Sequence, residues 1–338
     1  MQPDPLISEM QTALDEELRA SIASILQDYP NDYVAMFNYQ LGWEGEGAGM
    51  DAQGKRIRPL LLLLACQACG GDWRLALPAA AAVELVHNFS LIHDDIQDCS
   101  EVRRGRPTVW VKWGEAQAIN AGDAMLTVAQ YELLSLDQHF SAQVVNHAVR
   151  LLQSACLDLT RGQFLDIAFE KEDDLPIDLY WQMVGGKTGA LLATSFQLGA
   201  LLAGINEDIQ LGMTEFGTII GAAFQVQDDW LGIWGDDVST GKSTTSDLIS
   251  KKKTYPILLG SHNAGEFARR WKELKTVNEQ DARELTLLLE KENISEATCK
   301  KFEELYQQAR AIFIALDFNG EKAAPFNQVI ESLFGRIR

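Results

Sequence analysis

Two carboxylates one helical turn apart, with two arginines five residues beyond them, carry the most chemistry in this sequence. The stretch Asp94-Asp95-Ile96-Gln97-Asp98 follows the apolar residues Val83, Val86, Phe89 and Leu91 with no Gly or Pro between. That spacing predicts a helix. On it Asp94 and Asp98 share a face, so their carboxylates can converge. A hard cation would offset their repulsion. Mg²⁺ suits such a pair, because it takes oxygen ligands, keeps several waters and binds through one or two carboxylates plus substrate phosphates. Alone, the pattern could equally be a solvated acidic helix end. Arg103 and Arg104, followed by Gly105 and Pro107, add weight to the metal reading. Guanidiniums fixed beside metal-binding carboxylates suit a diphosphate, gripping oxygens that the metal leaves free.

Three further clusters could handle phosphate. Lys55 and Arg58, in Gly54-Lys55-Arg56-Ile57-Arg58-Pro59, open a leucine-rich helix. Cationic side chains beside free backbone N–H groups make a phosphate site, although the segment could also be an ordinary basic turn. Lys187 and Thr188 follow Gly185-Gly186 and could face a ligand at a helix kink or start, or simply form a cap. Phe224-Gln225-Val226-Gln227-Asp228-Asp229 ends a second apolar helix with a second aspartate pair, and Lys242 and Lys252 lie beyond it.

The elements that must position these groups read as helices throughout. Residues 6–28 are amphipathic and end before Pro30. Residues 41–54 are Gly-rich and loop-like. The central helix runs 75–99, followed by a basic loop 101–108, a helix near 115–138 and a long helix 140–169. An acidic loop covers 170–174. A helix 178–186 should stop at the Gly pair, before an uncharged core helix. Helix 208–234 carries Gly217 and Gly221, spaced for close approach to a neighbour. Residues 235–250 form a polar loop, and 257–338 read as further helices, such as 298–316 and 322–335, without a chemical motif. Period-2 alternation is almost absent, so the expected class is all-α, in one domain over 1–338. Two facing aspartate-bearing helices would enclose a deep apolar cavity with carboxylates on both rims.

Composition narrows the partners. The 338 residues carry a net charge of −19 and are 46% hydrophobic. Such acidity argues against nucleic acid, whose binders rely on a basic footprint, and against an anionic membrane surface. Five scattered cysteines suggest reduced thiols and a cytoplasmic setting. Cys66 and Cys69 form a C-x-x-C inside an apolar run, which reads as two buried helix residues. The N-terminus shows no apolar signal region. Thr188–Asn206, the longest uncharged stretch, carries Thr194, Ser195 and Gln197, and so reads as a core helix and not a membrane span.

Together, and in this order, the motifs between roughly residues 50 and 260 resemble the trans-isoprenyl diphosphate synthase, or polyprenyl synthetase, family. The resemblance implies a large antiparallel helix bundle around a central cavity, usually dimeric. It implies that Lys55, Arg58, His87 and Arg104 bind isopentenyl diphosphate. Arg103, Lys187, Thr188, Gln225, Lys242 and Lys252 fall where the family holds the allylic diphosphate. Asp94, Asp95 and Asp98 match the first aspartate-rich motif, with metal binding through Asp94 and Asp98. Asp228 and Asp229 begin the second. About three Mg²⁺ ions and the basic residues would draw off the allylic diphosphate, with Lys187, Thr188 and Gln225 steadying the cation. The released pyrophosphate would take the final proton. One departure stands out: the second motif ends at Gly232 where the family has a third aspartate, which leaves Asp228 to carry the third metal with water in the vacant position.

Product length follows from residues upstream of Asp94. Phe89 lies five residues before it, about 7–8 Å along a helix axis, where an aromatic ring can close the cavity. Ser90 is small and leaves room. The pattern resembles short-chain synthases, with geranylgeranyl diphosphate (C20) the expected product and farnesyl diphosphate (C15) the alternative. A class I terpene cyclase would leave Lys55, Arg58, His87 and Arg104 unexplained. A non-catalytic subunit of a heteromeric synthase would tend to lose an aspartate motif, and here the first is complete.

Overall fold

Local sequence starts each helix. The Asp4 carboxylate accepts the Leu6 N–H at 2.9 Å, and Pro5 opens α1 (Pro5–Ile25). Its Met10, Leu14, Leu18 and Ile22 recur every fourth residue and are all buried. The computed structural model describes residues 4–170, 172, 174–235, 246–318 and 320–334. After α1 come α2 (Asn31–Gln40), the single turn α3 (Met50–Gln53) and α4 (Ile57–Ala68). Leu60 to Cys66 of α4 are buried all round, as expected for a helix inside the core. Next is α5 (Leu77–Gln97), which carries the first aspartate pair. It belongs to the one stretch among the described residues, Trp73–Gln97, long and apolar enough to cross a membrane by composition. That stretch is 67% buried within the protein, as a core helix is.

The expected basic loop is a hairpin. β1 (Val102–Arg103) pairs antiparallel with β2 (Arg106–Pro107). Its two turn residues, Arg104 and Gly105, have φ of 52° and 71°. Two left-handed residues are the signature of the tight turn that matches strand twist. Then follow α6 (Val109–Trp113), α7 (Glu115–Leu134) and α8 (Ala142–Phe169), the last capped by Ser141. α9 (Ile177–Val184) leads through Gly185–Gly189 into α10 (Ala190–Leu202). α11 (Glu207–Trp234) is capped by Asn206, whose side chain accepts the Ile209 N–H at 3.0 Å. The helices Ser246–Ile249, Tyr255–His262, Glu266–Glu273, Glu279–Lys291, Ile294–Ala315 and Ala324–Phe334 complete the described chain. Apart from the hairpin, the described elements are helical, so the all-α expectation holds.

The Gly185-Gly186 pair does not stop its helix. Residues Gly185–Gly189 form a π turn that joins α9 to α10. The glycines serve contact instead: a Cβ at Gly186 would lie 2.5 Å from the Asp158 carbonyl oxygen, and one at Gly162 would lie 2.1 Å from the Lys187 nitrogen. α8 and the π turn therefore touch backbone to backbone. The spacing of Gly217 and Gly221 serves the same purpose. Cβ atoms there would meet the Cα atoms of Ala193 and Gly189 at 2.6 and 2.8 Å, so α11 lies directly on α10. α5 packs on α7, α4 on α10, and α11 also on Ile294–Ala315. The main core runs from Met10 to Leu333. A smaller one, with Phe267, Trp271, Leu285 and Leu289, lies under the C-terminal end of α11.

Candidate active site

The C-terminal turn of α5 brings Asp94 to the rim of a cavity of about 390 Å³, while Asp95 turns to a small neighbouring pocket with Arg103 and Arg104, and Asp98 caps the helix. Its lining includes Arg58, His87, Phe89, Asp94, Lys187 and Thr188. Two cations hold Asp94. Arg103 Nη2 donates to its Oδ2 at 3.2 Å, and Lys187 Nζ lies 3.2 Å from its Oδ1. The Lys187 contact lies outside hydrogen-bonding geometry, so Asp94 Oδ1 is buried without a hydrogen bond. Lys187 also donates to Asp166 Oδ2 at 2.5 Å. Burial opposes its charge, but Asp166 and Asp94 outweigh that and hold its pKa above the usual lysine value. Arg103 Nε donates to Asp95 Oδ1 at 2.7 Å, and Asp95 is only 2% exposed. Burial pushes the Asp95 carboxyl up to about 6, against the pull of Arg103. Desolvation at the helix end and the charge of Asp94 raise Asp98, while Lys187 and Lys252 act the other way.

The π turn matters to this geometry. One extra residue in a helical turn rotates the side chains that follow it. Here it presents both Lys187 and Thr188 to the cavity. Thr188 Oγ1 donates to Gln225 Oε1 at 2.7 Å, from the π turn to α11. Gln225 Nε2 donates in turn to Asp229 Oδ1 at 2.8 Å. Asp229 Oδ2 accepts from Tyr180 OH at 2.7 Å and from the Tyr255 N–H at 2.8 Å. Burial pushes its carboxyl up to about 7, opposed by those three donors. Asp229 was expected to bind metal beside Asp228. It is 4% exposed, with both oxygens hydrogen-bonded inside the protein, and it ties α9, α11 and Tyr255 together.

Gly232, the departure from the family pattern, faces another carboxylate. A Cβ on it would lie 2.3 Å from Asp247 Oδ2. The space a third aspartate would start from is therefore held by Asp247, on the helix Ser246–Ile249. Lys242 lies outside the described residues.

A second group of cations sits behind α5. Arg58 and His87 line the same cavity as Asp94. Burial drives the His87 pKa well down, and Arg58, Arg104 and Arg103 push it the same way, so its imidazole is neutral at pH 7. Arg104 Nη1 donates to the Ala52 carbonyl at 2.9 Å, and its guanidinium lies over Gly54, where a Cβ would meet Cζ at 2.6 Å. Gly54 must be glycine for that approach and for its φ of 72°. Lys55, next in sequence, is exposed. Beneath them Glu84 is 1% exposed and accepts from Asn88 Nδ2 at 2.9 Å. Glu84 Oε2, Arg58 Nε, and Arg56 Nε and Nη2 are buried without a hydrogen bond. Unsatisfied buried donors around Arg58 suit an anion that completes them.

Sequence reasoning passed over several members of this arrangement. Asp166 lies in Gly162-Gln163-Phe164-Leu165-Asp166 of α8, but nothing in one helix indicates a lysine on another. Gln163, from the same stretch, donates to Gln97 Oε1 at 2.9 Å beside the cavity. Arg106 had no role, yet it donates to the carbonyls of Tyr39, Glu44 and Glu46 and fixes the 41–47 loop. The Cys66 and Cys69 thiols are pushed up to about 12 by burial, as befits inert core residues.

The donor set fits a hard divalent cation bound in the open. Among the described residues no three acidic, histidine or cysteine side chains close into a metal cage. Asp94 offers a buried oxygen lacking a hydrogen bond, and Asp98 is crowded by its charge. Mg²⁺ typically binds one or two carboxylates and completes its shell with water and phosphate.

Comparison with known proteins agrees with this picture. The polyprenyl synthetase family model matches residues 48–291. A (2E,6E)-farnesyl diphosphate synthase of Mycobacterium tuberculosis is 42% identical over 268 residues, covering 79% of this chain and 69% of that protein. A geranylgeranyl diphosphate synthase of the same species is 39% identical over 267 residues, covering 77% and 75%. The crystal structure of a polyprenyl synthetase from Streptomyces coelicolor superposes with a TM-score of 0.86 at 33% identity, over 96% of this chain and 98% of that one. With the family model matched over residues 48–291 and a relative 42% identical over 79% of this sequence, the chain belongs to the polyprenyl synthetase family.

Proposed function

We propose that this short-chain prenyltransferase condenses isopentenyl diphosphate head to tail with allylic diphosphates and releases all-trans geranylgeranyl diphosphate. One observation carries the reading: one cavity is lined both by Lys187, which with Arg103 holds Asp94, and by Arg58 beside the neutral His87. A cyclase acts on one diphosphate and would leave the second group without a purpose.

In this reading Asp94, Asp98 and Asp228 hold Mg²⁺, which when bound neutralises diphosphate oxygens and favours departure of the leaving group. Lys187, Arg103 and Lys252 bind the allylic diphosphate, and Lys242 belongs with them by position. Lys55, Arg58, His87 and Arg104 bind isopentenyl diphosphate. His87, neutral, donates one ring N–H. The Thr188 and Gln225 oxygens present dipoles to the developing cation, and the apolar walls exclude water. No side chain needs to take the final proton, because the departing pyrophosphate can.

Phe89 is 5% exposed and lines the cavity, which supports a floor one prenyl unit or more below the metals. Leu157 and Phe164, two turns apart on α8, are 72% and 68% exposed, and Phe164 also borders the cavity. That stripe supports a homodimer whose second copy covers it. Free thiols at Cys66, Cys69, Cys99, Cys156 and Cys299 support a cytoplasmic setting. The main core, which reaches from α1 to the last helix, supports one domain.

The test is a mass-spectrometric product profile with Mg²⁺, isopentenyl diphosphate and dimethylallyl, geranyl or farnesyl diphosphate as primer. Linear products ending at C20 are expected, and Asp94→Ala should abolish them. An end at C15 would make the protein a farnesyl diphosphate synthase. An active Asp94→Ala enzyme would overturn the metal assignment.

A further inference from the structure

His93 sits immediately before the first aspartate, yet neither diphosphate site uses it. Its surroundings are unusually specific. The ring lies against α7 where Gly122 leaves room, and a Cβ at Gly122 would fall 2.2 Å from His93 Nε2. Nε2 is 3.3 Å from the Ile119 carbonyl oxygen and 3.7 Å from Asp123 Oδ1, both on α7. These contacts fix the imidazole in one orientation. Its other neighbour is Phe89, one turn back on α5. The two ring centroids are 5.8 Å apart at 85°, an edge-to-face contact. Edge-to-face contact is a favoured arrangement of aromatic rings. Both rings line the cavity.

We propose that His93, seated in the space left by Gly122, is a specificity-determining residue that buttresses Phe89 and so sets where the growing prenyl chain stops. The inference rests on the reading of Phe89 as the cavity floor. Phe89 is packed into the main core on one side and faces the cavity on the other, with His93 at its edge. A Phe ring pushed by a prenyl chain escapes by rotating about χ1 or χ2, and a fixed imidazole at its edge blocks that rotation. The residue that decides product length is then not on α5 alone. α7 takes part through the absence of a side chain at 122, which admits the imidazole at all.

The geometry gives opposite expectations for its two halves. Truncating His93 removes the buttress, frees Phe89 and deepens the cavity. Adding a methyl at Gly122 drives the imidazole away from α7, and the open space it borders is the cavity, which becomes shallower.

The experiment compares product profiles of the full-length protein with geranyl diphosphate, isopentenyl diphosphate and Mg²⁺. His93→Ala should raise the ratio of products longer than the wild-type end point to the wild-type product by tenfold or more. His93→Gln, which keeps a polar group near Ile119 but no ring, should do the same and guards against poor folding of the alanine variant. Gly122→Ala should shift the ratio the other way, toward products one unit shorter. Phe89→Ala serves as the control for the floor. If it lengthens the product while the His93 and Gly122 variants, folded and active, keep the wild-type profile, the role of His93 is overturned and the floor stands. If Phe89→Ala also leaves the profile unchanged, the floor reading fails and the His93 inference fails with it. A change in overall rate with an unaltered profile would mark His93 as merely structural, and would likewise overturn the proposal.

Discussion

At the scale of single residues, the site is a set of carboxylates with different tasks. Asp94 faces the cavity rim, Asp98 lies within reach of the charges of Asp94, Lys187 and Lys252, Asp95 is held by Arg103, and Asp229 is locked inside by three donors. The sequence presents these as two similar aspartate pairs, because residue type does not reveal which carboxylate finds donors from elsewhere in the chain. Tyr180 and Tyr255, which decide the matter for Asp229, lie 49 and 26 residues away in sequence. The account predicts that Tyr180→Phe destabilises the protein by about 1–2 kcal/mol, since it removes a hydrogen bond to a buried carboxylate. Because Asp229 anchors Gln225 and Gln225 positions Thr188, KM for the allylic substrate should rise while KM for isopentenyl diphosphate holds. Thermal melts and steady-state kinetics with each substrate varied would check both. Equal changes in the two KM values would contradict the chain of hydrogen bonds drawn here.

At the scale of elements, the long helices and their order are legible from apolar spacing and caps. What spacing does not disclose is whether a Gly-Gly pair ends a helix or lets another helix touch it. Here Gly162 and Gly186 are contact residues, and the π turn is the consequence that aims Lys187 and Thr188. Gly162→Ala should therefore be destabilising by about 1–3 kcal/mol, because its methyl would collide with the Lys187 backbone, which cannot swing aside. The usual gain for alanine in a helix, about 1 kcal/mol, should not rescue it. A melting temperature at or above that of the wild type would refute the close contact. The hairpin was likewise not legible, since its basic residues mask the turn, and its tight fit depends on Arg104 reaching Ala52.

The α1–α7 contact carries a pH dependence. Glu132 on α7 is 6% exposed, and burial pushes its carboxyl up to about 7, with Glu17 adding to the effect. An acid whose folded pKa is raised is favoured protonated. The folded state is thus relatively more stable below the ordinary Glu value near 4.5, and loses that advantage as pH rises toward and through 7. Glu132→Gln should then stabilise the protein at pH 8 by on the order of 1–3 kcal/mol, and have little effect at pH 5. Melting curves at the two pH values would decide it. An equal effect at both would show that the carboxylate is not desolvated.

At the scale of the whole molecule, an acidic chain of net charge −19 must take up two anionic substrates. It does so by concentrating cations at one cavity and leaving the acidic excess elsewhere. α5 brings Asp94 to the rim, α4 and the hairpin supply the arginines, and the α8–π turn contact supplies Lys187. The central claim is that these two cation groups serve two diphosphates in one condensation. The most direct measurement is release of pyrophosphate in the presence of Mg²⁺ with geranyl diphosphate alone, with isopentenyl diphosphate alone, and with both. The account predicts release only with both, in step with the consumption of isopentenyl diphosphate and the appearance of a longer linear prenyl diphosphate. Equal release from geranyl diphosphate alone would point to a cyclase, and no release with both would leave the protein without the activity argued for here.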